Sequence, residues 1–346
     1  MKKNIYISRG IAASTILLIL VGSALSIDSF PVVVNLMIDI NAPISPNSIE
    51  EQIAFDSIVN LTNGIGPKGL NATLFPTGDA IPSQRLHITY LANMSNYEVA
   101  MGGMKKDEMI GSNSSSDQKA LLSEMKKYVE ACHICGGKDT KPQGFKPQSF
   151  DQNADTYQIL NQMGILYDAG FQAGVLYLPG HENDTWAYRI DDLNVYAIPV
   201  STYPLEGERI LLSDRVAREE KKLNGPQWYD ILVDKFEESG KRGDPIVLIF
   251  DNQISGTDAE YLKAYLNFLD YALSRNATFV KTSEFVKISK AVKPIAPSGM
   301  TAIMSNEDKS GCVACDAPNN ATVNATIENE SSSADIEVSI TQNFND

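Results

Sequence analysis

Short apolar runs alternate along this chain with amphipathic helical stretches, and that alternation restricts the fold to a βα-repeating architecture with a mainly parallel sheet or barrel. The first run, PVVVNLMID at residues 31–39, ends in Asp39, where an α/β fold places its chemistry. Ser48 with Glu51 predicts a capping box opening a helix that carries Ile49, Ile53, Ile58 and Leu61 toward the core. A strand at 72–75 is broken by Pro76. Ser115 with Gln118 predicts a second capped helix, with Leu121, Leu122, Met125, Tyr128, Val129 and Cys132 at helical spacing and Gly136-Gly137 as its stop. A helix at 156–163, strands at 165–168 and 195–200, and a buried strand IVLIFD at 246–251 follow. Thr257 with Glu260 then predicts a helix with Leu262, Tyr265, Leu266, Leu269 and Leu273 on one face, and Phe279-Val280 begins the closing strand.

The N-terminus predicts export. Lys2, Lys3 and Arg9 precede an apolar run at 11–25 that ends in small residues, the layout of a secretory signal cleaved near Ser26. An uncleaved anchor is the other reading of the same run. Asn-x-Ser/Thr sequons at Asn60, Asn71, Asn93, Asn113, Asn183, Asn276, Asn320, Asn324 and Asn329 agree with a secreted or cell-surface glycoprotein. A net charge of −14 argues against nucleic acid or anionic lipid as a partner, because both demand a basic surface.

Several segments resemble the polysaccharide deacetylase (NodB-homology) family. LMIDINAP at 36–43 resembles its first motif, an apolar strand ending in an Asp-Asp pair, and NATLFPTG at 71–78 its second strand and Gly turn. EVAMGGMKKDEM at 98–109 sits where the family has a His-x-x-x-His, and IVLIFDNQ at 246–253 where a strand ends in a catalytic His. GFKPQSFDQNADTYQILNQMGILYDAG at 144–170 resembles the Gly-Phe-Arg-x-Pro turn, helix and Tyr-Asp strand. The resemblance implies a distorted (β/α) barrel of the glycoside hydrolase/deacetylase type over residues 30–290, flanked by the signal at 1–26 and a linker and polar extension at 291–346.

By the same resemblance Asp39 stands at the catalytic base, Lys146 at the orienting Arg, Asp251 at the His acid, and Asp168 in its conserved place. The family's divalent metal, such as zinc, would be held by residues at the positions of Ile40, Gly102 and Lys106, none of which is a usual ligand. Lys106 also puts positive charge where a cation would sit, and Lys cannot reproduce the planar contact of Arg at 146. A base without metal, acid or oxyanion stabiliser lacks the main contributions to barrier reduction. The expectation is therefore no metal cofactor, little or no activity, and a cell-envelope carbohydrate as partner, with hydrolysis through Asp39 at a non-standard site as the alternative. Lys106, Trp186 and Tyr203 are candidate glycan contacts, together with Tyr167 and Trp228 as stacking aromatics.

Three histidines do not suggest a rebuilt metal site. His87 lies in the strand-like RLHITY, His133 stands between two cysteines, and His181 sits in the polar loop LPGHENDT, read as solvated. Cys132 with Cys135, and Cys312 with Cys315, form two Cys-x-x-Cys pairs, which export favours as disulfides over a zinc knuckle. From Ser305 onward the chain is rich in Asn, Ser, Thr and acid, consistent with a glycosylated tail or, through ATVNATI and ADIEVSI, a β-hairpin.

Overall fold

The computed structural model describes residues 31–43, 47–135 and 141–292. The expected signal, the Gly136-Gly137 stop and the sequon-rich tail lie outside them. The elements in order are β1 (Val33–Ile40), α1 (Ser48–Asn63), β2 (Ala72–Pro76), α2 (Ala80–Asn93), β3 (Tyr97–Val99), α3 (Ser115–Cys135), β4 (Gly144–Phe145), α4 (Ala154–Gln162) and β5 (Tyr167–Gln172). They continue with β6 (Tyr188–Arg189), β7 (Tyr196–Val200), β8 (Thr202–Leu205), β9 (Glu208–Leu211), α5 (Gly225–Arg242), β10 (Ile246–Asp251), α6 (Ala259–Ser274), β11 (Thr278–Val280) and α7 (Thr282–Val292).

β1 lies at the centre of a parallel sheet of order β10-β1-β2-β3, with β11 beside its N-terminal residues. β1 and β10 are apolar on both faces because each is covered on both, the condition of a parallel strand. A second sheet runs β4-β5-β7-β6. Two seams join the sheets into the distorted barrel. At one, Met101 N donates to Gly144 O at 3.0 Å and Lys146 N to Met101 O at 2.9 Å; at the other, Ser201 N donates to Val247 O at 3.1 Å and Ile249 N to Leu212 O at 3.1 Å. Gly144 is required at the first seam, because the Tyr167 ring fills the space a Cβ would take.

Alternation along the strands separates two cores. Met37, Phe75, Tyr167, Ile198 and Ile249 fill the barrel, whereas Leu36, Ile38, Ile40, Leu74 and Phe250 pack against the helices. Each such buried side chain contributes about 1.5–3 kcal/mol by leaving water. Tyr265 of α6 meets Phe250 edge-on at 4.7 Å.

Several local expectations are corrected. The cap of α1 is Asn47, whose Oδ1 accepts from Ile49 N and Glu50 N, so Ser48 is already helical; Ile49 and Ile53 are 70% and 45% exposed. Asp258, not Thr257, caps α6. Ser114 Oγ accepts from Asp117 N ahead of α3, while the Gln118 side chain reaches back to Asn113 O and Asn153. RLHITY belongs to α2 rather than a strand: Gln84, Ile88 and Leu91 recur on its buried face, a spacing that two-residue alternation does not give.

Candidate functional site

The in-register pairing of Asp39 with Asp251 sets two carboxylates side by side at the C-terminal ends of β1 and β10. Both share the barrel-facing side of their strands, being two residues beyond Met37 and Ile249. The seam to β4 brings Lys146 to the same mouth, where its Nζ donates to Asp39 Oδ2 at 2.9 Å. Lys146 is only 3% exposed. It is held there by the turn that follows. Ser149 and Phe150 both adopt left-handed φ, 51° and 57°, an unusual conformation for non-glycine residues that recurs where function over-determines the backbone. This turn places the Phe150 ring 5.5 Å from Lys146 Nζ.

Asp39 Oδ1 is buried and has no hydrogen-bond partner among the described residues. Burial raises the Asp39 carboxyl above the usual range, Lys146 opposes that shift, and the Asp251 charge adds to it. Asp251 is more fully satisfied. Its Oδ2 accepts from Asn41 Nδ2 at 2.9 Å and from Arg215 through Nε at 3.1 Å and through Nη2, and its Oδ1 accepts from Gln253 N at 2.7 Å. Behind it, Asp214 accepts Asp251 N at 3.0 Å and Ser255 N at 3.2 Å, and burial with the neighbouring Asp251 charge pushes its carboxyl up to about 8. Lys106 Nζ donates to Gln253 Oε1 at 2.9 Å. Asp39, Lys106, Lys146, Phe150, Arg209 and Arg215 thus meet in a cleft of about 530 Å³.

These residues do not fit a divalent metal. Ile40 is packed into the helix-side core, and Lys106 brings an ammonium rather than a donor pair. Gly102 cannot be a ligand position in this backbone: a Cβ there would lie 2.5 Å from Phe75 O and 2.8 Å from Pro76 O. The Asp39 oxygen that is engaged is held by Lys146. Among the described residues, no cluster of three or more His, Cys, Asp or Glu side chains could hold a metal ion.

Of the residues expected from sequence, Asp39, Asp251, Lys106 and Lys146 come together. Asp168 does not join them: its neighbours Tyr167 and Ala169 face the barrel, so Asp168 points the other way, fully buried, with Oδ1 accepting from Gly170 N at 2.8 Å. Trp186 is also not at the cleft, being buried and stacked on Phe285 at 5.5 Å. Tyr203 lies on β8 with its hydroxyl 3.3 Å from Asp234 Oδ2, outside the cleft lining. Trp228 and Tyr167 are core residues, the latter donating to Glu98 Oε1 at 2.8 Å. His181 is not simply solvated: its ring stacks on Tyr188 at 3.8 Å and its Nδ1 is 2.7 Å from Asp184 Oδ2. Cys132 is buried on α3, while the Cys135 side chain, Cys312 and Cys315 lie outside the described residues.

Sequence reasoning missed Arg215, Asp214, Arg209 and Phe150. The run ILLSDR at 210–215 carried the available signal, an apolar stretch ending in a carboxylate like those at Asp39 and Asp251.

No protein-family model matches the sequence, and no curated protein matches it. Solved structures do match. A Mycobacterium smegmatis protein assigned as a polysaccharide deacetylase superposes with a TM-score of 0.60 at 15% identity, over 77% of this chain and 92% of its own. A PuuE allantoinase gives 0.60 at 12% identity over 77% and 92%, and a Pseudomonas aeruginosa PAO1 protein assigned as a polysaccharide deacetylase gives 0.60 at 12% over 77% and 93%. The chain therefore has the polysaccharide deacetylase fold.

Proposed function

We propose that this chain, having the fold of polysaccharide deacetylases, is a divergent member of that family that binds carbohydrate in the cleft at Asp39 and hydrolyses it weakly or not at all. The observation that carries this reading is the Lys146 ammonium on Asp39. In a metal-dependent hydrolase that carboxylate would serve a metal-activated water, and the cation would polarise the scissile carbonyl. Here Lys146 neutralises part of the charge a metal would need, and Gly102 leaves no room for a ligand. The cleft keeps what carbohydrate binding requires. Asp39 Oδ1 is a buried acceptor awaiting a donor, which a sugar hydroxyl or acetamido N–H would supply, and Phe150 offers an aromatic ring.

A secreted or cell-surface location fits this role. The sequon residues Asn93, Asn113, Asn183 and Asn276 are exposed, as a glycosylated exterior requires. No described helix is long and apolar enough to cross a membrane.

A second reading, residual hydrolysis with Asp39 as the acid–base group, is favoured by one feature: the raised carboxyl with a free oxygen at the cleft. The two are separated by metal content of the purified protein together with acetate release from an acetylated chito-oligosaccharide, with and without added zinc or cobalt. Binding without metal and without acetate release is the expected result. Stoichiometric metal with metal-dependent acetate release would reinstate the enzyme.

A further inference from the structure

The cations around the cleft fall into two groups. Lys146 is paired with Asp39, Arg215 with Asp251, and Lys221 with Glu208. Lys106 and Arg209 are different. Among the described residues, Lys106 meets the side-chain amide oxygen of Gln253 at 2.9 Å and Arg209 the Thr202 hydroxyl at 3.4 Å. Neither has a carboxylate partner among the described residues. In a chain with 43 acidic and 29 basic residues, acid was available for both, yet two cations lining one cleft are left without it.

The acidic residues of the same lining do not cancel them. Glu219 is held 3.6 Å from Arg215, Asp39 is the buried partner of Lys146, and Asp107 and Glu220 are exposed to water. Lys106 is half-buried, so its charge is less screened than that of the exposed Asp107 and Glu220, while Arg209 is exposed at the rim with its donors open to an incoming anion.

A second observation lies beside Arg209. The turn after β5 packs Gly174 against it, with Arg209 Nη1 3.5 Å from the position a Cβ at Gly174 would take. That turn leaves Val175, Leu176 and Tyr177 exposed at 48%, 39% and 39%, next to Gln172, which lines the cleft. An aromatic ring and aliphatic surface on the turn that follows the cleft residue Gln172 and packs its Gly174 against Arg209 match a sugar ring that carries a carboxylate. The ring face would lie on the apolar side chains and the carboxylate would take the planar fork of Arg209.

We propose that the cleft selects a uronic-acid-type glycan, whose carboxylates are bound by Arg209 and Lys106 and whose ring lies against the 175–177 turn. The proposal rests on the carbohydrate-binding reading above and adds the charge of the ligand. The chain's own net charge of −14 disfavours polyanions in general, so such binding has to come from a local site.

The test is calorimetric titration of the full chain with oligogalacturonate and with its fully methyl-esterified counterpart at low salt. The acid form is expected to bind about tenfold tighter than the ester, a preference of ~1.4 kcal/mol that salt erodes. R209Q and K106Q should each weaken the acid form by roughly fivefold, about the worth of one solvent-exposed ion pair, and weaken the ester less, so that the acid preference shrinks. R209K should retain part of the preference, Y177A should weaken both forms, and K287Q, on exposed α7 surface, should change neither. Equal binding of acid and ester would overturn the charge assignment and leave the carbohydrate reading standing. Binding of neither, with chito-oligosaccharides also unbound, would remove both. An acid preference indifferent to R209Q and K106Q would place the anion site elsewhere and sink the proposal.

Discussion

The barrel mouth and the outer face of β5 both bury carboxyl groups, and they treat them in opposite ways. At the mouth, Asp39 and Asp251 sit beside Lys146 and Arg215, so burial and like-charge repulsion are opposed by cations and by donors such as Asn41. On β5, Asp168 is fully buried with one backbone donor and, among the described residues, an unpartnered Oδ2 and no cation, and burial pushes it up to about 8. The first arrangement sets cations against the cost of burial. The second leaves burial unopposed except by one backbone hydrogen bond, which raises the carboxyl. Both residues end or occupy strands with similar apolar flanks, so the difference lies in which face of the strand each residue occupies.

The largest expected effect comes from removing the cation at the mouth. Lys146→Met leaves Asp39 buried beside Asp251 without its compensating charge, a change that typically costs about 3–5 kcal/mol. Urea denaturation should show this loss at neutral pH and a smaller one in acid, where Asp39 is protonated. Adding Asp39→Asn to the variant should recover much of the stability. A loss below about 1 kcal/mol in K146M would mean that the pair is not a buried interdependent unit.

Asp168 supplies the next effect, with a definite sign. Its folded carboxyl titrates near 8 against an ordinary value near 3.8. Its contribution to stability is therefore complete below about pH 4 and is lost as pH rises through about 8, at up to ~1.4 kcal/mol per pH unit. Asp168→Asn keeps an oxygen to accept from Gly170 N and removes the titration. It should stabilise the protein at pH 7 by up to roughly 4 kcal/mol, the slope accumulated over the three pH units above the ordinary value, and flatten the profile between those limits. If D168N is instead the less stable chain at pH 8, Asp168 is ionised and has found a partner. A smaller loss, about 1–3 kcal/mol, is expected for Gly102→Ala, whose Cβ would press on the Phe75 and Pro76 carbonyls. A neutral G102A would show that this backbone could admit a larger residue after all.

Much of the barrel was legible because its strands are short apolar runs of predictable length: 246–251 coincides with β10, and the carboxylates at 39 and 251 mark the mouth. Lys106 and Lys146 were legible through motif position. What could not be read were choices made by distant contacts. Whether Asp168 faces inward depends on the pleat of β5, which bulges between Asp168 and Phe171. Trp186 is buried because α7 brings Phe285 over it. Arg215 reaches Asp251 across 36 positions of sequence, from a segment with an irregular π-helical turn that no periodicity announces. The caps at Asn47 and Asp258 were displaced by one residue each, since neighbouring Ser or Thr side chains carry the same capping chemistry.

The smallest effect sharpens the comparison most, because it separates a cation that holds the fold from one proposed to meet a ligand. Lys146 is buried and paired, whereas Lys106 is half-buried and bonded to a neutral amide that also donates to Ala42 O at 2.7 Å. Lys106→Gln gives up one charge-to-amide hydrogen bond and no ion pair, so its cost to stability should stay within about 0.5 kcal/mol. Thermal and urea unfolding of K106Q beside K146M would then show two lysines of one cleft differing roughly tenfold in structural cost. A loss above 1 kcal/mol in K106Q would make Lys106 part of the scaffold, and any weakened glycan binding in that variant would follow from a disturbed cleft rather than from a missing anion contact.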